Sequence, residues 1–309
     1  MIRALALAGP TACGKSEFAP ALAVAMGGEI ISADSGAVYR GMDIGTAKPS
    51  AALRARLPHH LVDICTPDAH FNAGMFCRLS IAAAKEINAR GAAPVFVGGA
   101  MMYFYALMRG LHHVPEISAA VRESVRAEMQ KCGAAEMHRR LAALDLHTAR
   151  KIPATDSQRI ARTMEIAAQT RRPPSSFMAA QKPSPDLQIS FIVLMPEDRA
   201  RLRAAIAARL NTMWNDGLTA ETESVIRKYR PPPQSPPLRM AGYRQAAAFL
   251  RGEYDEKEMR ERALYATCQL AKRQMTWLRK WKNPAAVIDP FAADAEKKIL
   301  AAARAFCET

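Results

Sequence analysis

The sequence predicts an α/β protein in which a parallel sheet flanked by helices is interrupted by an all-helical insertion. Three observations carry this reading. Short apolar runs alternate with amphipathic stretches along most of the chain, the pattern of strand and helix units whose ligands sit at the carboxyl ends of the strands. The first apolar run ends in GPTACGKS, whose glycine and lysine spacing suits a phosphate-holding loop. From Met101 to Leu187 only helical periodicity is found.

Taken in order, the first strand is expected at 2–8, directly before Gly9. The run Gly9, Pro10, Thr11, Ala12, Cys13, Gly14, Lys15, Ser16 then matches the P-loop. In that loop successive backbone N–H groups cradle a diphosphate, the lysine adds a point charge and the serine hydroxyl meets Mg²⁺. Glu17, Phe18, Leu22 and Met26 continue as an amphipathic helix, in which Pro20 removes one backbone donor. Further strands are expected at 28–33, 60–65, 94–98, 188–195 and 285–289. The second carries Asp34 at its tip, where a nucleotide hydrolase or kinase would hold Mg²⁺ or accept a hydroxyl proton. An aspartate followed by Ser35 and Gly36 also suits the cap of a turn. Asp63 in HHLVDIC is a second acidic candidate. Gly98 and Gly99, followed by Ala100, allow close backbone approach.

The domain boundaries follow: a P-loop core over 1–110, a helical insertion over 111–186, and the rest of the core with basic helices over 187–309. Within the insertion, 118–133 opens on a Ser118 cap and closes on Gly133, and a second helix follows through EMHRRLAAL. A third runs from the Asp156 cap through QRIARTMEIAAQ. RRPPSSFMAAQKPSPD reads as a return loop, and YRPPPQSPPLR breaks two later helices.

Composition narrows the function. Forty-three Lys and Arg against 29 Asp and Glu leave a formal charge of +14, which suits a polyanionic partner because each neutralised phosphate releases counterions. The six cysteines show no C-x-x-C pair and no zinc spacing, so they read as reduced packing residues, with Cys13 a small filler in the loop. The pairs His59/His60 and His112/His113 cannot both face one metal, since neighbours point apart. No apolar run reaches a membrane span, and MIRALALA reads as a first strand and not a signal peptide, so a cytoplasmic protein is expected. Arg159 and Arg162 share a helix face with Glu165, which suits a solvated salt-bridged face and phosphate contact equally. In CQLAKRQMTWLRKWK the stripe Leu264, Cys268, Ala271, Met275 and Leu278 is for the core, leaving Lys272, Arg273, Thr276, Arg279 and Lys280 outward. The loop pattern alone also fits a small-molecule kinase or an RNA-binding nucleotide switch.

The ordered motifs GPTACGKS, SADSGAVYRGMDIGTAKP, HHLVDI, VGGAMMYF, DSQRIARTMEI, GYRQ and AKRQMTWLR make the chain resemble the tRNA dimethylallyltransferases over nearly its whole length. The resemblance implies transfer of a dimethylallyl group from dimethylallyl diphosphate to the N6 amino group of adenosine 37, in tRNAs reading codons that begin with U. It implies that residues Gly9 to Ser16 hold the donor's diphosphate and not a nucleotide, with Mg²⁺ on Ser16. Asp34 is then the general base, with Lys15 and Arg209 stabilising the leaving diphosphate. Contacts to the tRNA anticodon stem-loop would come from Asp34, Ser35, Gly36, Ala37, Ala100 and Arg122, from Gln158, Arg159, Ile160, Ala161 and Arg162, and from Gly242, Tyr243, Arg244 and Gln245. A monomer without a zinc-finger extension, as in bacterial forms, is expected. Two departures stand out: Ala100 replaces the family's threonine, and Ala205 replaces an arginine.

Overall fold

The structure is a computed structural model describing residues 1–111, 114–177, 184 and 186–308. The pair His112/His113 and most of the return loop after residue 177 lie outside the described residues. The chain divides into two compact units, one of residues 1–108 and 184–309 and one of residues 109–183. No helix among the described residues is long and apolar enough to cross a membrane.

The larger unit is built on a six-stranded sheet in the order β3-β2-β4-β1-β5-β6, every pair parallel. The strands are β1 (Ile2–Ala8), β2 (Gly28–Ala33), β3 (His59–His60), β4 (Ala93–Gly98), β5 (Leu187–Leu194) and β6 (Ala286–Ile288). From Ala4 to Ala8 the run in β1 is apolar because both faces are covered there. Ala4, Ala6 and Ala8 face one core and Leu5 and Leu7 the other. The leucine side packs on α1 (Lys15–Ala25) and α12 (Ala295–Glu308) through Leu22 and Ile299. Its narrow alanines admit bulky groups on the other side, among them Phe76 and Ile87 of α3 (Ala73–Ala89) and Phe104 of α4 (Met101–Arg109). That larger core continues into α8 (Arg199–Asn215), α9 (Leu218–Tyr229), α10 (Tyr243–Leu250) and α11 (Glu256–Leu278). A short α2 (Ala51–Arg56), capped by Ser50, leads into β3. Helix α1 runs through Pro20.

One expected strand is cut short. Beyond His60 the chain turns through left-handed conformations at Leu61 (φ 61°) and Asp63 (φ 56°). The segment then bonds to the loop after β2 instead, Asp63 N–H donating to Ala37 O and Cys65 N–H to Val38 O. The 60–65 run therefore keeps Leu61, Val62 and Cys65 inside while leaving the sheet after two residues, with Ile64 exposed. Of the cysteines, Cys13 and Cys65 are buried, Cys77, Cys132 and Cys268 half-buried, and Cys307 is exposed, so the packing role fails for the last.

The smaller unit is helical over its described elements: α5 (Ala119–Leu144), α6 (Leu146–Ala149) and α7 (Ser157–Thr170), followed by a 3₁₀ turn at Pro174–Phe177. Ser118 caps α5 through a bond from Val121 N–H, and Gly133, at φ 76° and ψ 169°, divides it into two arms. Its own core is Val125, Met137, Leu141, Ala149, Ile152 and Ile160. Asp145, 7% exposed, ties three elements together. It accepts from Thr148 N–H at 3.0 Å and Thr148 Oγ1 at 2.7 Å, and from Ser175 N–H at 2.6 Å. Burial alone would raise its pKa, but these bonds outweigh burial and bring it down to about 2.

Asp145→Ala is expected to destabilise the helical unit by about 2–3 kcal/mol, since it removes three hydrogen bonds to a buried carboxylate. Because the folded-state pKa lies below the ordinary value of 3.8, the contribution is full above that value and fades as pH falls toward about 2. Thermal unfolding of both chains from pH 7 downward should show the gap in midpoint closing only below about pH 4.

Candidate active site

Register brings the chemistry-bearing tips to one level. Ala8 pairs with Gly98 and Ala33 also pairs with Gly98. The next residues of β1, β2 and β4, which are Gly9, Asp34 and Gly99, therefore leave the sheet side by side at its carboxyl edge, where open α/β sheets bind ligands.

The loop from Gly9 to Ser16 is an anion nest. Cys13 tucks beneath it with 1% exposure, and a Cβ on Gly9 would lie 2.6 Å from Cys13 Sγ, so glycine is required there. Burial pushes the Cys13 thiol up, which keeps it a neutral filler. Ala12 takes a left-handed φ of 59° and Gly14 one of 78°, the alternation that aims successive N–H groups inward. Of the N–H groups from Thr11 to Ser16, only that of Thr11 has an oxygen acceptor among the described residues, the Gln274 Oε1 at 2.9 Å. Helix α1 begins at Lys15, so its positive end adds to the field. Lys15 Nζ rests on Gly9 O at 3.0 Å and Pro10 O at 2.5 Å. The ammonium thus spans the loop's entrance and can exchange carbonyl for phosphate oxygen. Ser16 is exposed and its hydroxyl has no partner among the described residues. Among those residues no three His, Cys, Asp or Glu side chains converge as a metal cluster.

Asp34 caps its turn and has one oxygen to spare. Its Oδ1 caps the turn, accepting from Gly36 N–H at 2.7 Å and Ala37 N–H at 3.3 Å. Its Oδ2 has no hydrogen bond among the described residues. The residue is half-buried and Ser35 beside it is exposed, while Gly36 and Ala37 are buried. Arg209 on α8 lies within the field of Asp34 and Cys13; partial burial pushes its pKa down and Asp34 pushes it up. No ion pair holds it among the described residues. Ala205 stands one turn earlier on the same helix and is half-buried. Ala100, also half-buried, donates its N–H to Ala33 O at 3.1 Å, linking the tips of β4 and β2.

Two polar residues outside the expected contact set tie together segments far apart in the chain. Glu221 on α9 accepts from Asp43 and Ile44 N–H, both at 2.8 Å, and from Gly45 N–H at 3.2 Å. Tyr243 donates its hydroxyl to the same carboxylate at 2.5 Å. Gln274 on α11 bonds the loop and, through Nε2, Gly99 O at 2.8 Å. Gln274 is polar on an otherwise apolar helical face, beside Ala271, Met275 and Leu278, and lies within AKRQMTWLR; those are the signals it leaves in sequence.

Several expected contact residues turn inward. Tyr243 is 0% and Gln245 4% exposed. Gln245 Oε1 accepts from Gly242 N–H at 2.9 Å, and Gly242 is itself buried in a left-handed conformation. Of GYRQ only Arg244 presents its side chain to solvent; the motif serves to lock Glu221 against the 43–45 loop. Ile160 is 0% exposed, a core residue of the helical unit. Gln158, Arg159 and Arg162 are exposed, and Ala161 and Arg122 half-buried. Arg159 pairs with Asp156 at 3.4 Å and Arg162 with Glu165 at 3.3 Å. Asp63 is removed from the candidates: Lys48 at 2.7 Å and Arg54 at 2.7 Å occupy its two oxygens. Burial would raise its pKa, but these cations hold it below the ordinary carboxylate value. His59 and His60 bond to Leu57 O and Glu29 Oε2, as ordinary packed histidines.

Helix α11 is divided electrostatically. In its first half Arg260 and Arg262 pair with Glu256 and Glu258. In its second half and just beyond, Lys272, Arg273, Arg279 and Lys280 are exposed and make no ion pair among the described residues, leaving a cationic face for a polyanion.

Comparison with known proteins gives this arrangement its context. A family model described as IPP transferase matches residues 37–281. A tRNA dimethylallyltransferase of Thiobacillus denitrificans is 43% identical over 298 residues, covering 96% of this chain and 95% of its own. One from Neisseria meningitidis is 44% identical over 292 residues, covering 94% and 93%. The crystal structure of a full-length tRNA isopentenylpyrophosphate transferase from Bacillus halodurans superposes with a TM-score of 0.70 at 29% identity, covering 100% of this chain and 96% of that one. With a family model matching residues 37–281 and with identity and matched length this high, the chain belongs to the IPP transferase family.

Proposed function

We propose that this chain is a tRNA dimethylallyltransferase acting at N6 of adenosine 37. The observation that carries the reading is an anion nest and a carboxylate with one unoccupied oxygen, brought to one level by the β1, β4 and β2 register. The names and near full-length identity of the relatives support it.

In this reading the N–H groups from Ala12 to Ser16 and Lys15 Nζ bind the diphosphate of dimethylallyl diphosphate. The adenine amino group is a poor nucleophile because its lone pair is delocalised into the ring. As N6 attacks C1 of the allyl group, the C1–O bond breaks and its electron pair leaves with diphosphate. The N6 proton passes to Asp34 Oδ2, the oxygen that the turn does not use, as general-base catalysis requires. Arg209 and the nest face the charge that gathers on the departing diphosphate. A Mg²⁺ ion fits the Ser16 hydroxyl, since magnesium takes few protein ligands when phosphate oxygens supply the rest. When bound, it would help neutralise the leaving group.

The tRNA is proposed to meet Arg122, Gln158, Arg159 and Arg162 on the helical unit, and Arg244 with the cationic half of α11 on the other. Exposed pairs such as Arg159 with Asp156 are worth little in water, so phosphate can replace the carboxylate at low cost. Unstacking adenosine 37 from its loop costs a few kcal/mol, which such contacts offset. Labelled dimethylallyl diphosphate with undermodified tRNA tests the whole reading: label should enter tRNA. Label passing instead from ATP to a small acceptor would overturn it.

Asp34→Asn keeps the Oδ1 acceptor for Gly36 and Ala37 and removes the base. Single-turnover transfer should slow by about 10² to 10⁴, or ~3–5 kcal/mol, with tRNA affinity within about fivefold. Rescue by high Mg²⁺ would move Asp34 to the metal. Arg159→Ala with Arg162→Ala should lower the salt slope of tRNA binding by roughly 1.4 to 1.8 and leave donor affinity alone, as two lost phosphate contacts require. Ala100→Thr, which returns the family's hydroxyl to the β4 tip, should leave turnover unchanged or raise it. A loss beyond about tenfold, ~1.4 kcal/mol, would show packing rebuilt around alanine.

A further inference from the structure

We propose that Gln274 is the positioning residue of the diphosphate site, a brace on α11 that holds the loop and the β4 tip as one rigid unit. The inference rests on the reading that the loop takes a diphosphate. Gln274 is 8% exposed and lies on the buried stripe of its helix. Its amide is used at both ends: Oε1 accepts from Thr11 N–H at 2.9 Å and Nε2 donates to Gly99 O at 2.8 Å. An N–H on one side and a carbonyl on the other leave only one orientation of the amide. A Cβ on Gly99 would lie 2.6 Å from Nε2 and 3.1 Å from Gly9 O, so the glycine is there to admit the brace.

The loop needs such a brace. Ala12 sits at φ 59°, a conformation that costs a non-glycine residue free energy and persists only where surroundings over-determine it. Thr11 is its immediate neighbour. By taking the Thr11 N–H, Gln274 fixes where the nest begins and leaves Ala12 to Ser16 aimed at the ligand. Removing the amide would leave the Thr11 N–H unpaired, leave Gly99 O with Met101 N–H as its one donor among the described residues, and free Ala12 to relax. Gln274 stands 263 positions from Thr11 and 175 from Gly99. It shares its helix with the outward Lys272, Arg273 and Thr276. It touches no reacting atom; it acts through the loop.

The test compares full-length wild type, Gln274→Met and Gln274→Glu for inorganic pyrophosphate binding by calorimetry and for steady-state prenyl transfer. Gln274→Met should weaken pyrophosphate binding and raise the donor KM at least fivefold, with kcat lowered less than threefold and tRNA affinity within twofold. Gln274→Glu carries the decisive signature. Ionised at pH 8, it opposes Gly99 O and the diphosphate and should bind worse than the methionine variant. Protonated at low pH, its O–H can donate to Gly99 O while its carbonyl accepts from Thr11 N–H. Its pyrophosphate Kd, taken relative to wild type at each pH, should therefore recover to within threefold by pH 5.5. Pyrophosphate affinity unchanged in both variants, even with a lowered Tm, overturns the proposal, as does a Gln274→Glu ratio that does not move with pH. Failure of wild type itself to bind pyrophosphate would instead overturn the reading of the loop, and the brace with it.

Discussion

Everything chemical in this molecule depends on three parallel strands ending at the same height. Parallel pairing is cooperative along the ladder, and the register of β4 between β1 and β2 is set by apolar side chains that must alternate between two cores. A slip of one residue in β4 would turn Phe96 from one core into the other and displace Gly99 from the loop it supports. The site is therefore as rigid as the sheet, although none of its functional groups belongs to a strand. That suits a reaction in which a proton acceptor and an anion nest must stand at fixed separation before any substrate arrives.

Much of this could be read from the chain because the strongest signals are local. The loop from Gly9 to Ser16 announces itself by spacing, β1 by the apolar run that follows Arg3, and Ser118, Asp156 and Gly133 mark their helix ends within a few residues. Asp34 reads as base or turn cap for a sound reason: a carboxylate has two oxygens, and the turn occupies only one. The failures share a different cause. The turn at Leu61 and Asp63, the burial of Tyr243, Gln245 and Ile160, and the roles of Glu221 and Gln274 arise from partners far apart in sequence. Glu221 meets Asp43 across 178 positions. No periodicity encodes such a meeting. The family resemblance implies tRNA contact for GYRQ, whereas its tyrosine turns inward to reach the half-buried Glu221 carboxylate.

The charge is likewise arranged and not merely present. The chain's excess of basic residues is partly consumed by neighbours, as in the Glu256 and Glu258 pairs at the start of α11. What remains unpaired gathers on the second half of that helix. Its inward face supplies Gln274 to the loop, so one helix carries a cationic surface outside and a neutral polar clasp inside. Neutrality inside matters, because a carboxylate there would repel an anion placed in the nest, and a lysine would compete with Lys15 for one.

The sheet's two borders bear on how this protein behaves at the concentrations of a cell. Both outermost strands are stunted, β3 at two residues and β6 at three. A border strand offers unpaired N–H and C=O groups to any passing chain, and its danger grows with its length. The departure of the backbone at Leu61 and Asp63 thus protects as well as shapes: it ends the ladder before another molecule could extend it. The four long apolar strands, which would be the most adhesive segments of the chain if laid bare, are kept interior to the sheet by borders too short to recruit a neighbour.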